Sequence, residues 1–257
     1  MSEEIKNIKI AQIVPLKFLE LTKNNQYHMC LAHLVLKSDE YRDFYRRMSD
    51  EGKYVLVDNG AAEGEKMDYD DLMRVYELIN PTEIILPDVL FDMTETISRT
   101  TDFVKNYDLD KYKKMIVPQG IDLNQWIDCC FEMLGIVNAD TIGIPKWLGS
   151  KSETARAKIC AMLSSVPQEV HLLGCSEGPI IVYCCRAINP RVRGCDSAFS
   201  YLCDKAGLKG MDAYTQRPKE KIEFLTDTIT SNLTKLMIEF EELAGVTYNG
   251  IDETWRY

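Results

Sequence analysis

The 257 residues hold only three histidines, and neither histidine nor cysteine occurs after Cys203. No C-x-x-C pair occurs anywhere. A structural zinc needs a closed set of nitrogen and sulfur ligands, so none is expected, nor any other cofactor. No apolar run approaches the ~20 residues of a membrane span, and no glycine-rich dinucleotide loop is present. The N-terminal stretch MSEEIKNIKI is too charged for a secretory signal, so a cytoplasmic protein is expected. In that setting the nine cysteines, several of them in helical patterns such as Cys129-Cys130 and Cys184-Cys185, are expected to be reduced.

A basic surplus is lacking too. The net charge is -10, which argues against nucleic acid as a general partner. Its distribution is uneven, however. From Thr141 to Lys221, 12 Lys or Arg face 7 Asp or Glu, a balance of +5, while the remainder holds 18 against 33, a balance of -15. One basic segment in an acidic shell can bind a polyanion locally, and the same segment also fits a solvated face.

With 46% hydrophobic residues, there is material for a sizeable core. Short apolar runs alternate with helical patterns. Strands are expected at Ile8–Val14, Met29–Leu36, Tyr54–Val57, Glu83–Leu86, Met115–Val117, Thr141–Ile144, Val170–Leu173 and Val192–Cys195. Amphipathic stretches such as SDEYRDFYRRMSDEG, DYDDLMRVYELIN and LNQWIDCCFEMLGIV lie between them, with Ser38, Asp68, Thr94 and Ser152 as caps. A terminal helix is expected near Lys219–Ala244. Continuous apolar strands alternating with helices mean a parallel sheet covered by helices. Eight such units fit an α/β fold of the (β/α)8 barrel type, one domain over residues 1–257.

In such a barrel the C-terminal strand ends form the active face. Asp58 follows strand three, Asp88 strand four, Gln119 strand five and Pro145-Lys146 strand six. Gly174-Cys175-Ser176 follows strand seven, and Asp196-Ser197 follows strand eight. Three aspartates and a glutamine are thus expected around one mouth. Oxygen ligands alone would suit Mg²⁺ or Ca²⁺. Crowded carboxylates also suit glycosidic chemistry, because like charges push their pKa values apart into an acid and a base. An aspartate beside a glutamine reads a purine edge: the carboxylate accepts from N–H groups and the amide donates to a carbonyl.

The order VDNGA, LPDVLFD, VPQG, IGIPKWLG, HLLG, RGCDSAF over residues 54 to 200 resembles the tRNA-guanine transglycosylase superfamily. Those enzymes are barrels that exchange a guanine in a nucleic acid for a 7-deazaguanine. The family's Asp-Ser-Gly-Gly turn places an aspartate beside the reacting base, and Asp58 stands there in Asp58-Asn59-Gly60-Ala61. Asp88 matches the family's base-binding aspartate, and Gln119-Gly120 its Val-Gln-Gly base contact. Gly143-Ile144-Pro145 occupies the place of the pocket-lining Gly-Gly-Leu, without its second glycine, and His171 to Gly174 matches His-Tyr-Leu-Met-Gly. The resemblance then makes Asp196 the covalent nucleophile.

The resemblance implies an aspartyl-sugar intermediate, a guanine or 7-deazaguanine base as ligand, and a flipped-out target nucleotide. Lys146, Lys151, Arg156, Arg191 and Arg193 are expected near the mouth as phosphate contacts, with Arg191 and Arg193 favoured because they directly precede Asp196. The family's tRNA-modifying members carry a C-terminal zinc module of three cysteines and a histidine, and this chain lacks those ligands. It resembles instead the compact phage-type branch acting on DNA, with tRNA as the other acceptor. Two further readings keep the barrel: Lys146 as a Schiff-base lysine in an aldolase-type site, and a non-catalytic barrel that binds a base or a partner.

Overall fold

The computed structural model describes residues 8–151, 154–208, 222–227 and 232–245; the side chain of Lys151 and the expected cap Ser152 fall outside that part. Eight strands form one parallel sheet: β1 Lys9–Gln12, β2 Tyr27–Leu31, β3 Tyr54–Asp58, β4 Glu83–Ile85, β5 Lys113–Ile116, β6 Thr141–Ile144, β7 Glu169–Leu172 and β8 Val192–Ser197. Their order is β1-β8-β7-β6-β5-β4-β3-β2, and β1 and β2 at its two ends lie against each other. The chain is a (β/α)8 barrel.

Both faces of the strands are buried, which is why they read as unbroken apolar runs. Leu56, Ile85, Met115 and Met29 point inward and fill the barrel. Val55, Val57, Ile84, Ile116, Ile142 and Ile144 point outward beneath the helices. Each fully buried aliphatic side chain contributes ~2 kcal/mol of transfer free energy.

The helices begin at polar caps. α1 is Ala32–Lys37, and Ser38 then accepts from the N–H of Tyr41 at 3.2 Å to open α2, Asp39–Asp50. Asp68 opens α3, Tyr69–Ile79, accepting from Asp71 at 2.8 Å. The cap of α4, Met93–Asn106, is Asp92, not the expected Thr94. Asp122 caps α5, Leu123–Ile136. α6 Lys146–Lys151, α7 Ala155–Met162, α8 Pro179–Ile188 and α9 Phe199–Lys205 follow.

Most strand bounds shift by one or two residues from the sequence reading, and two differences are larger. Strand two ends at Leu31, and Ala32–Lys37 is helix, since a short apolar run does not by itself distinguish a buried helical turn from a strand. The terminal helix begins at Leu233, not near Lys219, and ends at Ala244; residues 222–227 form a turn. That helix packs on α8 and α9. Residues 219–221 and 228–231 lie outside the described part.

The barrel floor is polar. Arg193 is 4% exposed and ion-pairs with Glu83 and, at 3.2 Å, with Glu169. It also donates to the Tyr54 hydroxyl at 2.9 Å and the Tyr27 hydroxyl at 3.1 Å, while Thr141 donates to Glu83 at 2.6 Å. These residues start their strands, so the cluster closes the N-terminal end. Residues at the N-terminal face of such barrels serve stability.

A candidate active site at the strand ends

The strand ends surround a cavity of about 440 Å³, within the size range of small-molecule sites. Asp58, Asp88, Gln119, Pro145, Lys146, Gly174 and Asp196 all line it. These residues lie up to 138 positions apart in the chain, and the barrel brings them together because each follows the C-terminal end of its own strand.

Asp196 is 7% exposed and tightly held. The N–H of Gly174 donates to both its carboxylate oxygens, each at 3.0 Å, and His171 Nε2 lies 3.2 Å from Oδ1. Gly174 reaches that pose at φ 55, a left-handed conformation that glycine adopts without steric cost. His171 is fully buried, and its Nδ1 lies 3.1 Å from the Tyr27 hydroxyl. Burial holds the imidazole below its ordinary pKa, against the opposing pull of Asp196. A neutral ring then takes one arrangement: Nε2–H donates to the carboxylate, and Nδ1 accepts from Tyr27, whose oxygen accepts from Arg193. A directed chain of hydrogen bonds therefore climbs from the floor to Asp196.

Asp88 is 7% exposed and accepts from Asn59 Nδ2 at 2.7 Å and from Gln119 Nε2 at 2.6 Å. Burial outweighs those donors and pushes its carboxyl up to about 6. Gln119 Oε1 accepts from the Trp147 indole at 3.0 Å and from the N–H of Phe91 at 3.3 Å. Both polar ends of the glutamine are thus engaged, and its present work is to orient Asp88.

Asp58 is raised well above the ordinary carboxylate range, by burial first and then by the charges of Glu63, Asp88 and Asp196. Its proton is retained to higher pH than in a free aspartate. Glu63, on the 3₁₀ turn Ala61–Glu63, lines the same cavity and is raised by burial and by Asp196. The sequence reading missed Glu63, Asn59 and the support of His171. A carboxylate five residues after Asp58, and an inward position two before Leu173 on a period of two, were the available signals.

Several expectations are corrected. Gly120, Gly143 and Ile144 lie behind the cavity wall. A Cβ on Gly120 would meet Gln125 at 2.6 Å, and one on Gly143 would meet Leu173 at 2.9 Å. Ile144 is fully buried toward the helices. Arg191 and Arg193 are at the opposite end of the barrel: Arg191 donates to the Pro167 carbonyl below β7, and Arg193 belongs to the floor cluster. Three residues of strand rise about 10 Å, so adjacency to Asp196 in sequence is distance in space. Arg156 is fully buried, with Nε 3.3 Å from Glu177 and a bond to the Leu173 carbonyl, and faces no solvent. Lys146 is exposed and lines the cavity at its rim.

Among the described residues, no cluster of three or more His, Cys, Asp or Glu side chains has metal-binding geometry, and no helix is long and apolar enough to cross a membrane. All nine cysteines are free thiols, and only Cys184 is exposed.

No protein-family model matches the chain, and no curated protein matches it. Solved structures do. The YdjI aldolase from Escherichia coli K12 is 11% identical with a TM-score of 0.59, covering 95% of this chain and 93% of that one. An N-acetylneuraminate lyase from Mycoplasma synoviae is 11% identical with a TM-score of 0.52, covering 94% and 98%. The N-(5'-phosphoribosyl)anthranilate isomerase from Pyrococcus furiosus is 14% identical with a TM-score of 0.51, covering 93% and 98%. At these identities the likeness establishes the fold.

Proposed function

We propose that this barrel is a guanine transglycosylase, a pentosyltransferase that exchanges a guanine in a nucleic acid for a 7-deazaguanine base. The observation that supports it best is the gathering of Asp58, Asp88 and Asp196 around one cavity, with Asp196 anchored by Gly174 and His171. A firmly held carboxylate sharing a cavity with one raised above the ordinary carboxylate range is the kind of pairing that retaining glycosidic chemistry uses.

In the first step a carboxylate oxygen of Asp196 forms an ester bond to C1′ of the target nucleotide. The bond from C1′ to N9 breaks, its electron pair leaves with guanine, and Asp58 supplies the proton that guanine takes up. The incoming deazaguanine binds its N–H edge against Asp88, which Asn59 and Gln119 hold in place. Its N9 proton passes to Asp58, N9 attacks C1′, and the ester electrons return to Asp196. Two inversions give net retention. Lys146 at the rim supports the backbone phosphate. DNA is the favoured acceptor in this reading, and tRNA is the alternative.

The test is uptake of labelled guanine into duplex DNA, single-stranded DNA and tRNA. Exchange into any of them supports the reading, and no exchange into all three overturns it.

One observation favours a second reading. Lys146 lines the cavity after β6, and two barrels of similar fold are described as an aldolase and a lyase. A Schiff-base lysine requires a desolvated amine, whereas Lys146 is exposed. Borohydride trapping of a small carbonyl substrate on Lys146 would establish that chemistry instead.

A further inference from the structure

Phe91 stands at the cavity mouth in a conformation that its own side chain disfavours. Its φ is 63, where asparagine or glycine is the usual occupant, and the residue is 48% exposed. It sits third in a turn closed by the N–H of Asp92 on the Val89 carbonyl at 3.1 Å. A half-exposed side chain stabilises the fold less than a buried one, so burial alone does not account for a phenylalanine in this place. Backbone strain of this kind gathers at ligand-binding positions.

The surroundings say what the ring faces. The N–H of Phe91 is bonded to Gln119 Oε1, the same oxygen that accepts from the Trp147 indole. The two rings meet with centroids 5.6 Å apart at 56°. Gln119 in turn holds Asp88. The aromatic pair is therefore fixed relative to the carboxylate that would accept the N–H donors of a ligand, and Phe91 itself lines the cavity. Polar recognition at the edge with an apolar ring beside it suits a flat heteroaromatic molecule carrying N–H groups.

We propose that Phe91 is the stacking platform of the site, laying its ring on the face of the purine whose edge Asp88 reads. The inference rests on the base-exchange reading and adds the residue that selects for a planar ligand. Stacking tolerates substituents on the base, so guanine and its 7-deaza analogues share the platform.

Equilibrium dialysis with labelled guanine tests it, with thermal melts confirming that each variant is folded. Phe91→Ala and Phe91→Leu should each weaken guanine binding roughly tenfold or more, while Phe91→Tyr should stay within about threefold of the unaltered protein. Leucine separates stacking from apolar bulk: unchanged affinity in Phe91→Leu overturns the proposal, as does unchanged affinity in Phe91→Ala. If the unaltered protein takes up no guanine, the base-exchange reading fails and this inference with it. If it binds guanine and the variants bind equally well, the platform alone is wrong.

Discussion

His171 Nε2 lies 3.2 Å from Asp196 Oδ1, while the other ring nitrogen, Nδ1, lies 3.1 Å from the Tyr27 hydroxyl, itself bonded to Arg193. The carboxylate proposed to attack a sugar carbon is thus aimed by a fully buried ring, and that ring is fixed from below. Misplacement of about 1 Å costs such a reaction on the order of a hundredfold.

His171→Phe removes the donor and strands the Tyr27 hydroxyl. The rate of covalent adduct formation with a saturating oligonucleotide should fall by on the order of a hundredfold, with binding little changed. His171→Gln, which keeps a donor, should recover part of the loss. Single-turnover kinetics separate the rate from the binding, and a loss confined to binding would contradict the positioning role.

Asp88 makes base binding pH-dependent. Its carboxyl is pushed up to about 6 by burial. Only the ionised form accepts two N–H donors, so guanine affinity should be flat above about pH 6 and fall about tenfold per unit below it. Because the folded value exceeds the unfolded one, the stability from keeping Asp88 neutral is fully present below about pH 4 and is lost as the pH rises through about 6. Dialysis at several pH values checks the first half of this statement, and denaturant titration checks the second.

The two cationic sites should part company on mutation. Arg193→Ala leaves Glu83 buried without its partner and should destabilise the fold by about 3–5 kcal/mol, read by denaturant unfolding. Lys146→Ala should leave stability alone, weaken oligonucleotide binding and flatten its salt dependence. The opposite pattern would return Arg193 to the mouth.

Gly194 lets β8 approach β1. A Cβ there would lie 1.9 Å from the Lys9 carbonyl oxygen, so Gly194→Ala should destabilise the barrel by about 1–3 kcal/mol or prevent folding. A melt unchanged from that of the unaltered protein would show that the strands can separate at no cost.

The same glycine explains where sequence reasoning stopped. The strand ends were legible because a buried parallel strand is an apolar run, and a polar turn residue marks where it stops; Asp58, Asp88 and Asp196 follow directly from that pattern. Arg193 and Asp196 are three apart, a spacing that normally puts side chains on opposite faces. A register shift between β7 and β8 pairs Val170 with Val192 but His171 with Gly194, so both face the barrel interior, one at the floor and one at the mouth. A local irregularity of this kind leaves no trace in composition or periodicity. Gln119 shows a second limit: the sequence suggests an amide reader, but not that its two ends are occupied by Asp88 and Trp147.

The most direct test is intact-protein mass spectrometry after denaturing quench with guanine-containing single-stranded DNA, duplex DNA and tRNA. The account predicts a covalent protein–oligonucleotide adduct mapped to Asp196, absent from Asp196→Asn and discharged by added guanine. An adduct that persists in Asp196→Asn, or none with any acceptor while borohydride traps a carbonyl compound on Lys146, would contradict it.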